Sequence, residues 1–315
     1  MLPFASILLL ASHLLAMNLA AAGPLAAAWL IAGGDAGDQR RHALGRRLTV
    51  LSLAALVVGG ALGGMLLLVP NPGLRAALAR FPANAYWFAG LELLFSAGCI
   101  AALVAGHRWL RRRPVAAWAL AATTAANLLY HFPPLMAVFG QLAADPDWTN
   151  VAVVDRPALL RLWLRPEVLA LWTHFILASL ATAAIAALWP WRPAAMPSED
   201  NADVSETVVR RLAWWALAAS LLQIPAGVWL ALASEPTARD AMMGGDLVAS
   251  ASFVGGVVMA LALLQTLAAI ALGDSQAATR RRAGWLLLIV VALMSITLRT
   301  SRTSPDGAPP RHSAP

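Results

Sequence analysis

Eight apolar stretches, each about as long as a bilayer is thick when coiled into a helix, occupy most of the 315 residues. They run over residues 3–32, 48–69, 82–106, 115–142, 167–189, 208–233, 247–272 and 283–299. A hydrocarbon core of roughly 30 Å takes about 20 helical residues to cross. Backbone immersed in lipid must satisfy its own hydrogen bonds, and within one segment only a helix does so. The sequence therefore predicts an all-α, polytopic membrane protein of about eight transmembrane helices. These are expected to form two four-helix bundles, residues 1–142 and 143–299, followed by a disordered tail, 300–315, rich in Ser, Pro and Arg. The first stretch has no basic segment ahead of it and stays apolar to Ile31, so it reads as a retained helix rather than a signal peptide.

Composition agrees: 60% of residues are hydrophobic, 12% are charged and the mean hydropathy is +0.68, far from a water-soluble domain. All 23 basic residues are arginine, and the net charge is +7. The arginines cluster between apolar stretches, as at Arg40, Arg41, Arg46 and Arg47 or at Arg280 to Arg282, which suits an anionic membrane face and not nucleic acid. With both termini outside, the inner loops near 33–47, 107–114, 190–211 and 273–282 hold 14 arginines against 9 elsewhere, the bias that orients membrane proteins. The single cysteine, Cys99, leaves no disulfide framework, no CxxC zinc pattern and no CxxCH heme attachment. Nucleotide-binding, zinc-protease and serine-hydrolase motifs are absent.

Ionisable or coordinating side chains inside a span are expensive, so each invites a functional explanation. The list is short: His13, Glu92, His131, His174, Gln223, Met17, Met259 and Met294. Counted at about 1.5 Å per residue, His13, Glu92, His131, His174 and Met259 all fall roughly 10 to 18 Å below the outer surface. Helices of alternating direction thus converge on one layer. The face of His13 also carries Ala16, Met17 and Ala20, and that of His174 carries Ala178 and Ala181, which leaves room for a flat macrocycle. Asn127 lies one turn from His131 and is placed to orient it. Against this, a lone intramembrane histidine also serves as a packing residue, small residues also serve close helix contact, and Glu92 also serves as a neutral bonding group. A weak internal echo pairs Ser12-His13 and Leu19-Ala20 with Thr173-His174 and Leu180-Ala181 at equal offsets.

Over residues 5–235 the pattern resembles subunit I of the cytochrome bd oxidase family. The likeness is carried by Ser12-His13-Leu14-Leu15 with Gly23, by Gly90-Leu91-Glu92 through Gly98, by Asn127-Leu128, and by Leu159 to Leu164, Pro166, His174 and Ala178-Ser179. The resemblance implies a bacterial inner-membrane protein with b hemes and a ligand role for His13 at a high-spin site, where heme d is an alternative. It implies that His174 and Met259 bind a low-spin heme b, and that Glu92 serves a proton path and the heme site. His131 lies outside the family pattern and is expected to supply a replacement axial ligand. The segment from Ser234 to Asp246 is too short for the family's quinol-binding loop, and the late glutamate motif is missing. The expectation is therefore an electron-transfer subunit of a respiratory complex, working with other membrane subunits and a cytochrome c-type donor or acceptor. An active terminal oxidase, a small-solute or ion transporter and a structural scaffold are the other readings the same residues leave open.

Overall fold

The computed structural model describes residues 2–33, 38–69, 71–191 and 205–301. Their regular structure is helical: α1 (Leu2–Ala32), α2 (Gln39–Leu68), α3 (Pro72–Ala79), α4 (Ala83–Ala105), α5 (His107–Leu110), α6 (Pro114–Ala144), α7 (Arg156–Trp163), α8 (Pro166–Leu188), α9 (Glu206–Ala233), α10 (Pro236–Asp240), α11 (Leu247–Leu272) and α12 (Ala277–Thr300). Seven of these, α1, α2, α4, α8, α9, α11 and α12, are long and apolar enough to cross a membrane. The chain is an all-α, multi-pass membrane protein. The 115–142 stretch forms the 31-residue α6, whose Thr123, Thr124, Asn127, His131 and Gln141 make it less apolar than the others.

Two differences from the sequence reading concern the arginines. Arg40, Arg41, Arg46 and Arg47 ride on the first turns of α2, and Arg280 to Arg282 on the first turns of α12, instead of lying in loops. Arginine is a good helix former with a long stem that carries its charge back to the interface, so a helix can extend past its apolar run. Asp38 starts α2 by accepting the backbone N–H of Arg41 at 3.1 Å. The short α3 was not expected either, although Asn71 as N-cap and Pro72 in the first turn announce it. The amphipathic piece Pro157 to Arg165 forms α7. Most of the acidic linker Ser198 to Glu206, and the tail beyond Ser301, lie outside the described residues.

Packing follows from alternating helix direction and small residues. Helices α1, α2, α4 and α6 close one ring, and α8, α9, α11 and α12 close a second. The rings meet where α1 lies along α8, with α1 also against α12 and α8 also against α6, so exchanging one ring for the other reproduces the same neighbour relations. The first ring is filled by Ala20, Ala21, Leu56, Ile100 and Leu128. The second is filled by residues such as Ile185, Leu212, Leu217, Leu263 and Leu267, joined by Ala26, Ala27 and Leu30 of α1. Helices α3 and α7 cap the end where α1 and α8 begin, burying Phe81, Phe139, Leu162 and Trp163. Hydroxyls within the spans bond carbonyls one turn back, as Thr49 to Gly45 and Thr266 to Ala262, which satisfies them without a partner helix.

Candidate functional site

The first ring holds His13 against α2. Its Nδ1 lies 2.7 Å from the carbonyl oxygen of Gly59, an acceptor only, so Nδ1 carries the proton and Nε2 keeps a lone pair. This is the tautomer of a histidine whose other nitrogen serves as a ligand. The ring fits because α2 offers no side chain there: a Cβ at Gly63 would stand 2.8 Å from Cε1 of His13, and one at Gly59 would stand 2.8 Å from Sδ of Met17. The groove made by Gly59 and Gly63 is thus filled by the two residues of α1 that the sequence singled out.

Asn127 and Glu92 are also brought together, across α4 and α6. The amide of Asn127 donates to the backbone carbonyl of Glu92 at 3.0 Å and to the hydroxyl of fully buried Ser96 at 2.9 Å. Asn127 therefore clamps α6 to α4, and it is the carbonyl of Glu92, not the carboxylate, that takes part. One turn further along the same seam, His131 meets the rings of Phe88 at 5.6 Å and Tyr130 at 5.0 Å, both edge-on. Tyr130 continues to Trp163 at 5.1 Å and Trp172 at 5.9 Å. His131 thus stands in an aromatic cluster, and Asn127 turns towards α4 instead of orienting it. The cluster is anchored by the backbone: Pro133 has no N–H for the carbonyl of Leu129, and the indole of Trp172 donates to that oxygen at 2.6 Å.

In α8 the surroundings of His174 differ. Its Nδ1 is buried and has no hydrogen-bond partner. A polar atom in that state costs about 1–3 kcal/mol by protein measurements, so the site fits a group that takes this nitrogen. Ala181 on the same face is buried and brings only a methyl group. Met259 of α11 packs against the core of the second ring. A porphyrin iron, already held by four ring nitrogens, asks the protein for one or two side chains, and both histidines present such a donor. No group of three or more His, Cys, Asp or Glu side chains able to hold a metal ion forms among the described residues.

The polar contact between α1 and α8 was not singled out in the sequence. Ser179, fully buried, has its hydroxyl 2.8 Å from Oδ1 of Asn18, itself 5% exposed. The separation of the pair is 161 residues, the same offset that relates His13 to His174, since 174 − 13 = 161. Asn18 follows His13 by five residues as Ser179 follows His174. The internal echo thus extends to a hydrogen bond between corresponding positions, with one histidine in each ring about a turn and a half away. No protein-family model, curated protein or solved structure matches the chain.

Proposed function

We infer that this protein is a heme b-binding membrane cytochrome that carries electrons within a membrane complex, with His174 as the principal ligand in the second ring and His13 as its counterpart in the first. The observation that carries the reading is the buried, unpartnered Nδ1 of His174, at the position related by the 161-residue offset to a histidine held in the ligand tautomer. A heme b in these rings supplies one-electron chemistry at its iron. Met259 of α11 is the second residue that would hold the group in that ring.

The chain's own part is holding and shielding. The Gly59 carbonyl fixes the imidazole of His13 about its ring axis, and the Asn127 clamp keeps α4 and α6 in register beside it. The apolar fill of each ring excludes water, which sets the dielectric around any bound redox group. Half-buried Glu92 is the acid of the first ring and is assigned to proton supply. In the orientation favoured by the arginine bias, the end where α1 and α8 begin faces outward, and the aromatic cluster around Tyr130 lies towards a redox partner on that side. A cytochrome c-type protein or a further membrane subunit is the partner class.

The reading is tested by purifying the protein from heme-replete cells and recording its absorption and pyridine hemochrome spectra. A Soret band with a b-type hemochrome supports it. Protein that is folded and heme-free by both measures overturns it.

A further inference from the structure

We propose that the end of the molecule where α1 stops and α2 and α9 begin carries a binding site for the headgroup phosphate of an anionic phospholipid. The site is independent of the heme reading. Its centre is Arg41, in the first turn of α2 and only 6% exposed. Its guanidinium lies 4.4 Å over the Trp29 ring and donates from Nη2 to the Trp29 carbonyl at 2.8 Å. The Nε–H is buried and has no partner. Asp38, whose Oδ1 accepts the backbone N–H of Arg41, lies within electrostatic reach of the guanidinium but does not bond Nε. Arg211, in the second turn of α9 and exposed, places another positive charge within electrostatic reach. One turn along α9, the Trp215 ring stands 5.0 Å from that of Trp29.

Two cations therefore flank a pair of indoles. Capping the end of α1 accounts for one nitrogen of Arg41. It does not account for the unpaired Nε–H. A phosphodiester does, since its oxygens accept from guanidinium groups in the fork geometry that arginine favours. The source is a lipid and not free phosphate because the cations stand beside exposed apolar surface. Trp214 and Trp215 are 49% and 40% exposed, and indoles of this kind sit at the headgroup level of a bilayer with acyl chains alongside.

The test uses full-length protein, stripped of lipid in a neutral detergent, with thermal unfolding followed as phosphatidylglycerol, phosphatidylcholine or inorganic phosphate is added. Phosphatidylglycerol is expected to raise the midpoint saturably, and the other two to leave it unmoved. Arg211→Gln, at an exposed position that caps nothing, is expected to weaken the phosphatidylglycerol response about five-fold, the equivalent of the ~1 kcal/mol that one arginine contributes near anionic lipid. Arg281→Gln removes an exposed arginine at the start of α12 and is expected to leave the response intact. Equal stabilisation by phosphatidylcholine or by phosphate alone, or equal losses in the two variants, overturns the proposal.

Discussion

Placing a single methyl group at Gly63 tests the seating of His13. The ideal Cβ there stands 2.8 Å from Cε1 and 3.1 Å from Nδ1 of the imidazole, closer than side chains tolerate. The ring cannot swing aside without lengthening its 2.7 Å bond to the Gly59 carbonyl. Gly63→Ala therefore loses a hydrogen bond worth about 1 kcal/mol and overpacks a tight contact at about 1–3 kcal/mol. Against this, replacing glycine by alanine inside a helix contributes about 1 kcal/mol. The sum is a destabilisation of about 1–3 kcal/mol. The adjacent Gly64 is an internal control, because a Cβ there meets nothing within 4 Å, so Gly64→Ala keeps the helix-propensity gain with no clash. The assay is denaturant unfolding of both variants in one detergent, with the difference between midpoints as the readout. Equal midpoints for Gly63→Ala and Gly64→Ala would refute the seating of His13 on α2.

Three further outcomes follow from the same geometry. Asn127→Ala removes both bonds to α4 and is expected to destabilise the first ring by about 1–2 kcal/mol, with Asn127→Asp less damaging to packing than to charge; unfolding midpoints decide it. Ser179→Ala breaks the polar contact between α1 and α8, and since bonds between membrane helices average about 0.6 kcal/mol, the expected loss is small and should match that of Asn18→Ala, with a double mutant no worse than either single change. His107, outside the long apolar helices, donates from Nε2 to the His42 carbonyl at 3.0 Å. Burial above all, and then Arg46, Arg111 and Arg108, hold it below the usual imidazole value despite that bond. Below about pH 6.5 the unfolded chain binds the proton first, so stability is full above that pH and falls as the solution is acidified towards the lower folded value; His107→Gln should flatten that part of the profile, and an unchanged profile would count against the assignment.

The eight apolar stretches were legible because each is long and continuous in sequence, and their cores agree with α1, α2, α4, α6, α8, α9, α11 and α12 within a few residues, seven of them long and apolar enough to cross a membrane. The helix starts were less so at α2 and α12: apolar runs mark where lipid begins, whereas the helix begins at a cap such as Asp38 and carries its arginines with it. His13 and Met17 could be recognised as a pair on one face, yet the groove that receives them belongs to Gly59 and Gly63 of α2, a relation between two helices that spacing along one of them does not carry. Asn18 was not singled out, although its place five residues after His13 repeats that of Ser179 after His174. The position of His131 among Phe88, Tyr130, Trp163 and Trp172 depends on Pro133 freeing a carbonyl and on α7 folding back over α6, relations between distant segments that spacing along one helix does not carry.

The most direct test of the central claim is the absorption spectrum of His174→Ala set beside those of His13→Ala and His131→Ala, each purified from heme-replete cells and normalised to protein. The account predicts that His174→Ala and His13→Ala each lose part of the Soret absorbance and of the b-type hemochrome, while His131→Ala retains both. A Soret band left intact by His174→Ala would contradict it.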